Sequence, residues 1–279
     1  MSTPAPIPSA PNSRRFVGKV ALITGAARGQ GRAEAVRLAA EGADIIAVDI
    51  CRSLATTQYP GPTPEDLAET ASLVENLGQR IVAREADIRD FAALSAAVQE
   101  GVGELGGLDV VIANAGMTTA ALSWEVSAEQ WQESIDVNLT GAFHTAKATV
   151  PILIDQDRGG AIVFTGSVAG LRGLPFVSAY VAAKHGVVGL SKTLANELAK
   201  HRIRVNTLIP HGVATDLTVP ELSSVAQAAP ELQLLYAPAL PDGTTTADDI
   251  AAAVAWLASD EARHVTGIQL PVDLGRTNR

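Results

Sequence analysis

The sequence predicts a doubly wound α/β fold: a single domain on a seven-stranded parallel sheet with helices on both faces. Three observations predict it. Short, near-continuous apolar runs alternate with longer stretches of helical pattern along the chain, as strands covered on both faces and their crossover helices do. A glycine-rich turn separates the first apolar run from the first helix. A chain of 279 residues, 47% of them hydrophobic, is long enough to bury one large core.

Taken in order, Lys19-Val-Ala-Leu-Ile-Thr24 is a buried strand. Thr24-Gly25-Ala26-Ala27-Arg28-Gly29-Gln30-Gly31 is the turn, and a helix over 29–41 follows with Ala33, Val36, Leu38 and Ala39 on its apolar face, stopping at Glu41-Gly42. Strands are predicted at 43–48, 80–85, 108–113, 160–165, 203–209 and 267–272, and helices at 64–78, 90–104, 127–154, 178–201 and 246–258. Such alternation builds right-handed β-α-β units. Two stretches break the rhythm: an insertion at 52–64, rich in Thr, Pro and Gly, and a long segment at 212–245. Both follow strand ends, so both should flank the ligand cleft of an open sheet. Residues 1–15, rich in Pro, Ser and Ala, read as a disordered arm without the basic start and apolar core of a secretory signal; 16–279 reads as the catalytic domain.

Bulk properties exclude several classes. A formal charge of −9 argues against nucleic acid or an anionic membrane as partner. The longest stretch without a charged residue, Val110 to Trp124, is shorter than the roughly 18–20 residues that span a bilayer. The single cysteine, Cys51, forms no internal disulfide and fits a reducing, cytoplasmic setting. The five histidines show no ligand spacing, so no metal site is expected.

Chemistry concentrates at Tyr180 and Lys184, four residues apart on one helix face, with Ser167 thirteen residues before the tyrosine. An ammonium beside a phenol lowers its pKa from about 10 and lets it move a proton near neutrality. In the turn, Gly25 allows a tight bend, while Gly29 and Gly31 let the backbone approach a pyrophosphate at the helix N-terminus. Asp49, ending the second strand, would take the adenine ribose hydroxyls and repel a 2′-phosphate, which favours NAD; Arg28 and Arg52 keep NADP open. Read as scaffold residues instead, Asn138 is an amide at a helix kink, Ser167 a strand-end turn residue and Asn114 a turn former.

Together Thr24-Gly-x-x-x-Gly-x-Gly31, Asn114-Ala-Gly116, Asn138, Ser167 and Tyr180-x-x-x-Lys184 resemble the short-chain dehydrogenase/reductase family over about 18–275, with its Rossmann-type fold. Thr24-Gly-Ala-Ala-Arg-Gly-Gln-Gly31, Val48-Asp-Ile-Cys51, the insertion through Tyr59-Pro60 and Thr63-Pro-Glu-Asp-Leu67, and Gln269-Leu-Pro-Val-Asp273 resemble its mycofactocin-associated, carveol-dehydrogenase-like branch. The resemblance implies that Ser167 holds the substrate oxygen and Tyr180 is the acid/base. It implies that Lys184 holds the nicotinamide ribose and that Asn138 anchors a water leading to solvent. Asp87 and Ile88 would meet the adenine, Asn114, Ala115 and Gly116 would flank the cofactor, and Pro210, Val213 and Thr215 would fix its carboxamide end. Arg28, Gln30 and Ile50 complete the expected NAD contacts. His211 departs from the glycine many relatives carry after the proline, and Gly166 from a serine, the latter with little expected consequence. The branch implies NAD held through turnover with an external redox carrier taking the electrons, and the family implies a homotetramer, with small residues on the helices at 127–154 and 178–201. The apolar segment 212–245 (Leu217, Val219, Leu222, Val225, Leu232, Leu234, Leu235, Tyr236 and Leu240), with Trp124 and Phe176, fits a hydrophobic alcohol or ketone as substrate. An ordinary carbonyl reductase with exchanging cofactor, and a nicotinamide-binding regulator without catalysis, are the competing readings.

Overall fold

The computed structural model describes residues 14–215, 222, 227, 229–241 and 244–278. Its sheet has seven parallel strands in the order β3-β2-β1-β4-β5-β6-β9: β1 Val20–Thr24, β2 Asp44–Asp49, β3 Ile81–Glu85, β4 Val110–Ala113, β5 Gly160–Thr165, β6 Ile203–Pro210 and β9 Gln269–Val272. β1 pairs with both β2 and β4, so the strand order reverses there. At such a switch point the loops leaving adjacent strands part and open a crevice.

Side chains alternate across this sheet, and each face carries its own core. Val20 and Leu22 pack with α3 (Phe91–Leu105), α5 (Gly141–Asp155) and α6 (Ser178–Leu198). Ala21 and Ile23 pack with α1 (Gly29–Ala40), α2 (Pro64–Asn76) and α7 (Ala247–Ala258). The insertion ends where α2 begins because Thr63 and Asp66 form a reciprocal capping box, with Pro64 in the first turn. Residues 1–13 of the expected arm lie outside the described residues; Arg15 is bound to Glu41 and Glu261.

The structure corrects the single helix expected at 127–154. It is α4 (Ala128–Ile135), a π-helical turn (Asp136–Thr140) and α5. A π turn inserts one extra residue without ending the hydrogen-bonded path. The segment 212–245 also holds structure that the sequence reading left out: a two-residue parallel ladder between β7 (Val213–Ala214) and β8 (Thr245–Thr246), and a 3₁₀ helix at Pro230–Tyr236. Leu217, Val219 and Val225 lie outside the described residues. Among the described residues, no helix is long and apolar enough to cross a membrane, and no cluster of His, Cys, Asp and Glu is arranged to hold a metal.

One core residue is out of character. Glu34, on the buried face of α1, is 0% exposed and neither carboxylate oxygen meets a partner. Burial pushes its pKa from 4.5 up to about 8. The folded protein therefore keeps the proton that the unfolded chain releases. The pH-dependent part of its cost is absent below pH 4.5 and grows as pH rises from there to about 8. Glu34→Gln should remove that slope, a differential on the order of a few kcal/mol across the window. In thermal melts the variant should gain on the wild type between pH 5 and pH 8; a pH-independent difference would refute a protonated Glu34.

Candidate active site

The loop after β1 is shaped by what its carbonyls do. Gly25 and Gly29 have φ of 68° and 57°, in the region that L side chains rarely adopt. Gly31 lies so close to the Gly25 carbonyl that a β-carbon there would overlap it. Asn114, after β4, donates from Nδ2 to the Thr24 and Gly25 carbonyls at 3.1 and 3.3 Å. Thr70 and Arg32 draw in the Ala26 and Ala27 carbonyls. With its carbonyls turned into the protein, the loop leaves α1's N-terminal N–H groups to face the crevice.

The crevice is a cleft of about 420 Å³. Nearly every residue singled out in the sequence lines it: Gly25, Arg28, Gly29, Gln30, Asp49, Ile50, Asp87, Ile88, Asn114, Ala115, Gly116, Ser167, Tyr180, Lys184, Pro210, Val213 and Thr215. Gly31 and Asn138 do not line it; they stand behind its wall. Asn138, on the π turn, accepts from Met117 N at 3.1 Å and donates to the Met117 and Ser134 carbonyls at 2.9 Å. Its amide thus fixes the backbone just after Gly116. A side chain on Gly116 would press on Asn138 Oδ1, at 2.9 Å.

At the other end, Ser167 follows β5 and its Oγ accepts from Ala169 N. Lys184 is 3% exposed and donates from Nζ to the Thr165 carbonyl at 2.7 Å. Its ammonium lies 5.4 Å from the Tyr180 ring centre. The expected lowering of the Tyr180 pKa is not what the protein alone produces. Burial pushes Tyr180 up to about 12, more than its hydrogen bond with Ser167 recovers, and pushes Lys184 down to about 8. Both shifts favour the neutral forms. Spacing shows that the two groups are neighbours; it does not show how little water reaches them.

Other expectations are refined. Asp49, 5% exposed, already accepts from Ala27 N and Cys51 N at 2.8 and 3.2 Å, so it ties the glycine loop to β2 as well as facing the cleft. Arg28 donates to the Pro60 carbonyl at 2.6 Å and Arg52 to Asp87 at 3.0 Å; both cations that kept NADP open have partners. Burial alone would raise Asp87, yet the hydrogen bonds and charge of Arg89 and the contact with Arg52 hold it below its usual value. Gly166 is not a neutral departure: a β-carbon there would lie 2.7 Å from Thr207 Cγ2 and 2.9 Å from the Leu208 carbonyl. His211 lines the cleft, and burial, then the charge of Arg276, push it down to about 4. Thr245 N donates to the Gly212 carbonyl and Thr245 Oγ1 to that of His211, fastening the loop to the start of α7. Trp124 is 80% exposed, whereas Phe176 is buried.

Tyr59 escaped the sequence reading. It is 8% exposed, lines the cleft, and its Oη accepts from Thr118 N at 3.3 Å. An aromatic residue inside a Thr- and Pro-rich insertion was the available signal.

These residues fit a dinucleotide. Gly25 and Gly31 leave no room for a β-carbon, Gln30 keeps a buried Oε1 without a protein partner, and the strand-end carboxylate of Asp49 faces the cleft. A cleft with that cradle at one end and a Ser-Tyr-Lys cluster at the other is built for dinucleotide-dependent oxidation and reduction.

Comparison with known proteins gives the family. Residues 19–225 match the short chain dehydrogenase model, and the chain belongs to the short-chain dehydrogenase/reductase family of oxidoreductases, in its carveol-dehydrogenase-like branch. It is 45% identical over 273 residues to (−)-trans-carveol dehydrogenase of Rhodococcus erythropolis, covering 94% of this chain and 99% of that one. A short chain dehydrogenase from Mycobacterium paratuberculosis bound to NAD superposes with a TM-score of 0.93 at 45% identity, over 95% of this chain and 100% of that one. Carveol dehydrogenase from Mycobacterium avium in complex with NAD gives 0.89 at 48% identity, over 95% and 99%.

The cradle makes a direct prediction. Gly31→Ala forces the loop away from α1, so NADH affinity measured by fluorescence titration should fall by about a hundredfold or more, roughly 3 kcal/mol, with the circular dichroism spectrum of the sheet and helices retained. Unchanged affinity would show that the loop does not hold the dinucleotide.

Proposed function

We propose that the protein is an NAD-dependent dehydrogenase that interconverts a hydrophobic secondary alcohol and its ketone. The observation that carries this reading is the grouping of Ser167, Tyr180 and Lys184 at the end of the dinucleotide cleft. NAD, when bound, supplies the hydride acceptor and a positively charged ring. Ser167 donates to the substrate oxygen and holds it beside Tyr180. Tyr180 takes the hydroxyl proton in oxidation and returns it in reduction. Lys184, fixed by the Thr165 carbonyl, holds the ribose end, and Asn138 keeps the Met117 backbone in place behind it. Gly25, Arg28, Gly29, Gln30 and Gly31 would cradle the pyrophosphate. Asp49 and Ile50 would take the adenosine ribose, Asp87 and Ile88 the adenine, and Pro210, Val213 and Thr215 the carboxamide. The apolar substrate class is supported by Leu222 in the cleft wall and the cluster behind it, and by the carveol dehydrogenases among the relatives.

We further propose that NAD stays bound through turnover and that an external carrier, mycofactocin-like, reoxidises it. Support comes from how the insertion is anchored. Arg28 holds Pro60, Glu133 accepts from Ala55 N and Thr56, and Tyr59 reaches across to Thr118 on the far side of the cleft. A loop tied at three places opens less often than a free one. For assembly we infer a homotetramer: Trp131 on α4 and Phe143 on α5 are 44% and 45% exposed, and Trp256 on α7 is 36% exposed. Apolar surface of this kind on separate elements favours burial by further copies; light scattering should return four chain masses, and a monomer would end the proposal.

Two outcomes test the reaction. Protein purified without added nucleotide should release nearly one NAD or NADH per chain on denaturation, and an artificial electron carrier should be required for turnover of a hydrophobic alcohol. An empty site that binds NAD reversibly would point to an ordinary dehydrogenase with exchanging cofactor. Tyr180→Phe should lower turnover by about a thousandfold or more while sparing NAD content; equal activity would overturn the assigned acid/base.

A further inference from the structure

Among the described residues, Arg276 is the largest side chain with no exposure, and it lies just after the last strand. An arginine ordinarily reaches water. Here its Nη2 donates to the Leu235 carbonyl at 2.9 Å, its guanidinium lies 4.9 Å from the Tyr236 ring centre, and its own carbonyl accepts from Arg172 Nη1 at 2.6 Å. Its Nε and Nη1 meet no protein acceptor. Desolvation lowers its pKa to about 10, which still leaves it charged at neutral pH.

The backbone around it is built to put it there. The Asp273 carboxylate accepts from Gly275 N and Thr277 N at 2.9 and 2.7 Å. Leu274 and Gly275 take positive φ, 54° and 76°, which turns the chain back under the 3₁₀ helix. The Leu274 carbonyl then accepts from Ala239 N and Leu240 N at 2.9 and 3.0 Å. From the other side, Tyr236 Oη donates to the Pro175 carbonyl at 2.5 Å. The tail therefore bridges two segments that also meet directly through Tyr236: 230–240, and the loop at 172–176 between Ser167 and α6. Tyr236, Leu232 and Leu222 pack with Tyr180 against the cluster of Phe176, Val177 and Ile209, and Leu222 lines the cleft.

We propose that Arg276 is a positioning residue that sets substrate selectivity: it locks the 230–240 segment against the 172–176 loop and so fixes the apolar wall at the substrate end of the cleft. This rests on the alcohol dehydrogenase reading above. The guanidinium holds 230–240 by one hydrogen bond to the Leu235 carbonyl and by its place over the Tyr236 ring, both directional, so removing it frees that segment from a tail that Arg172 still holds through the backbone carbonyl of residue 276.

The test uses the full chain with its NAD, as wild type, Arg276→Met and Arg276→Lys. With (−)-trans-carveol and an artificial electron carrier, Arg276→Met should raise KM about tenfold while kcat stays within about twofold. With cyclohexanol KM should change little, so the preference for the bulkier alcohol falls. Arg276→Lys, which keeps a cation over Tyr236, should recover part of the loss. NAD content per chain should be equal in all three. Chymotryptic cleavage at Tyr236, a readout independent of turnover, should be faster in Arg276→Met. Unchanged KM together with unchanged cleavage would overturn the proposal, as would a joint fall in kcat, affinity and NAD content, which marks general destabilisation. If the wild type oxidises neither alcohol, the alcohol reading fails, and the cleavage rate still decides whether Arg276 clamps the segment.

Discussion

The approach of α1 to the Gly25 carbonyl is the constraint on which the rest of the structure depends. A helix start can sit against a strand-end turn only if nothing projects between them, and Gly31 is the residue that leaves that space empty. The contact is closed from outside by Asn114, whose amide bonds the Thr24 and Gly25 carbonyls together. Because Asn114 follows β4, the same amide fixes the two strands whose parting opens the cleft. Thr70 from α2 and Arg32 from α1 take the next carbonyls inward, and Asp49 takes the Ala27 N–H from the side of β2. Every neighbouring element thus contributes one side chain to orient this loop. Such a loop is positioned before any ligand arrives, and its ordering cost is met in folding rather than in binding.

At the other end of the cleft the dominant effect is desolvation. The phenol of Tyr180 and the ammonium of Lys184 are both pushed toward neutrality, the reverse of what two neighbouring groups in water would do. In the protein alone the tyrosine holds its proton tightly. A phenol so held is a hydrogen-bond donor, and positive charge brought within a few ångströms is what shifts such a group toward phenolate. Acid and base roles are set by what occupies the cleft, while the protein supplies fixed distances and a dry setting.

Most of the fold was legible because parallel strands buried on both faces are written as apolar runs, and all seven stand where such runs stand. α2 starts at Pro64, where the helix was expected, under the cap formed by Thr63 and Asp66. The elements that escaped carry no periodic signal. A π turn adds one residue to a helix and leaves the local composition unchanged, so 127–154 read as continuous. The β7–β8 ladder is two residues long on each side. At the site, the residue types and their grouping were readable from motif and order, but their ionisation was not, since burial depends on elements distant in sequence. Tyr59 and Arg276 escaped for a shared reason. An aromatic in a Thr- and Pro-rich loop and an arginine near a chain end both read as surface, and only tertiary contacts make them interior.

Those two side chains place the chain's variable segments in one scheme. The insertion after β2 is fastened by Arg28, Glu133 and Tyr59, and the C-terminal tail holds the 230–240 segment through Arg276. Neither fastening involves the Thr165–Lys184 bond, and the two share no residue; Arg28 alone belongs also to the glycine-rich turn. Sites that share no partners and lie on separate elements respond to substitution almost independently. Under the proposed function, the hold on the dinucleotide and the choice of substrate fall to different segments. Both segments lie outside the β-α-β framework, and the Ser167, Tyr180 and Lys184 cluster is held by the framework itself.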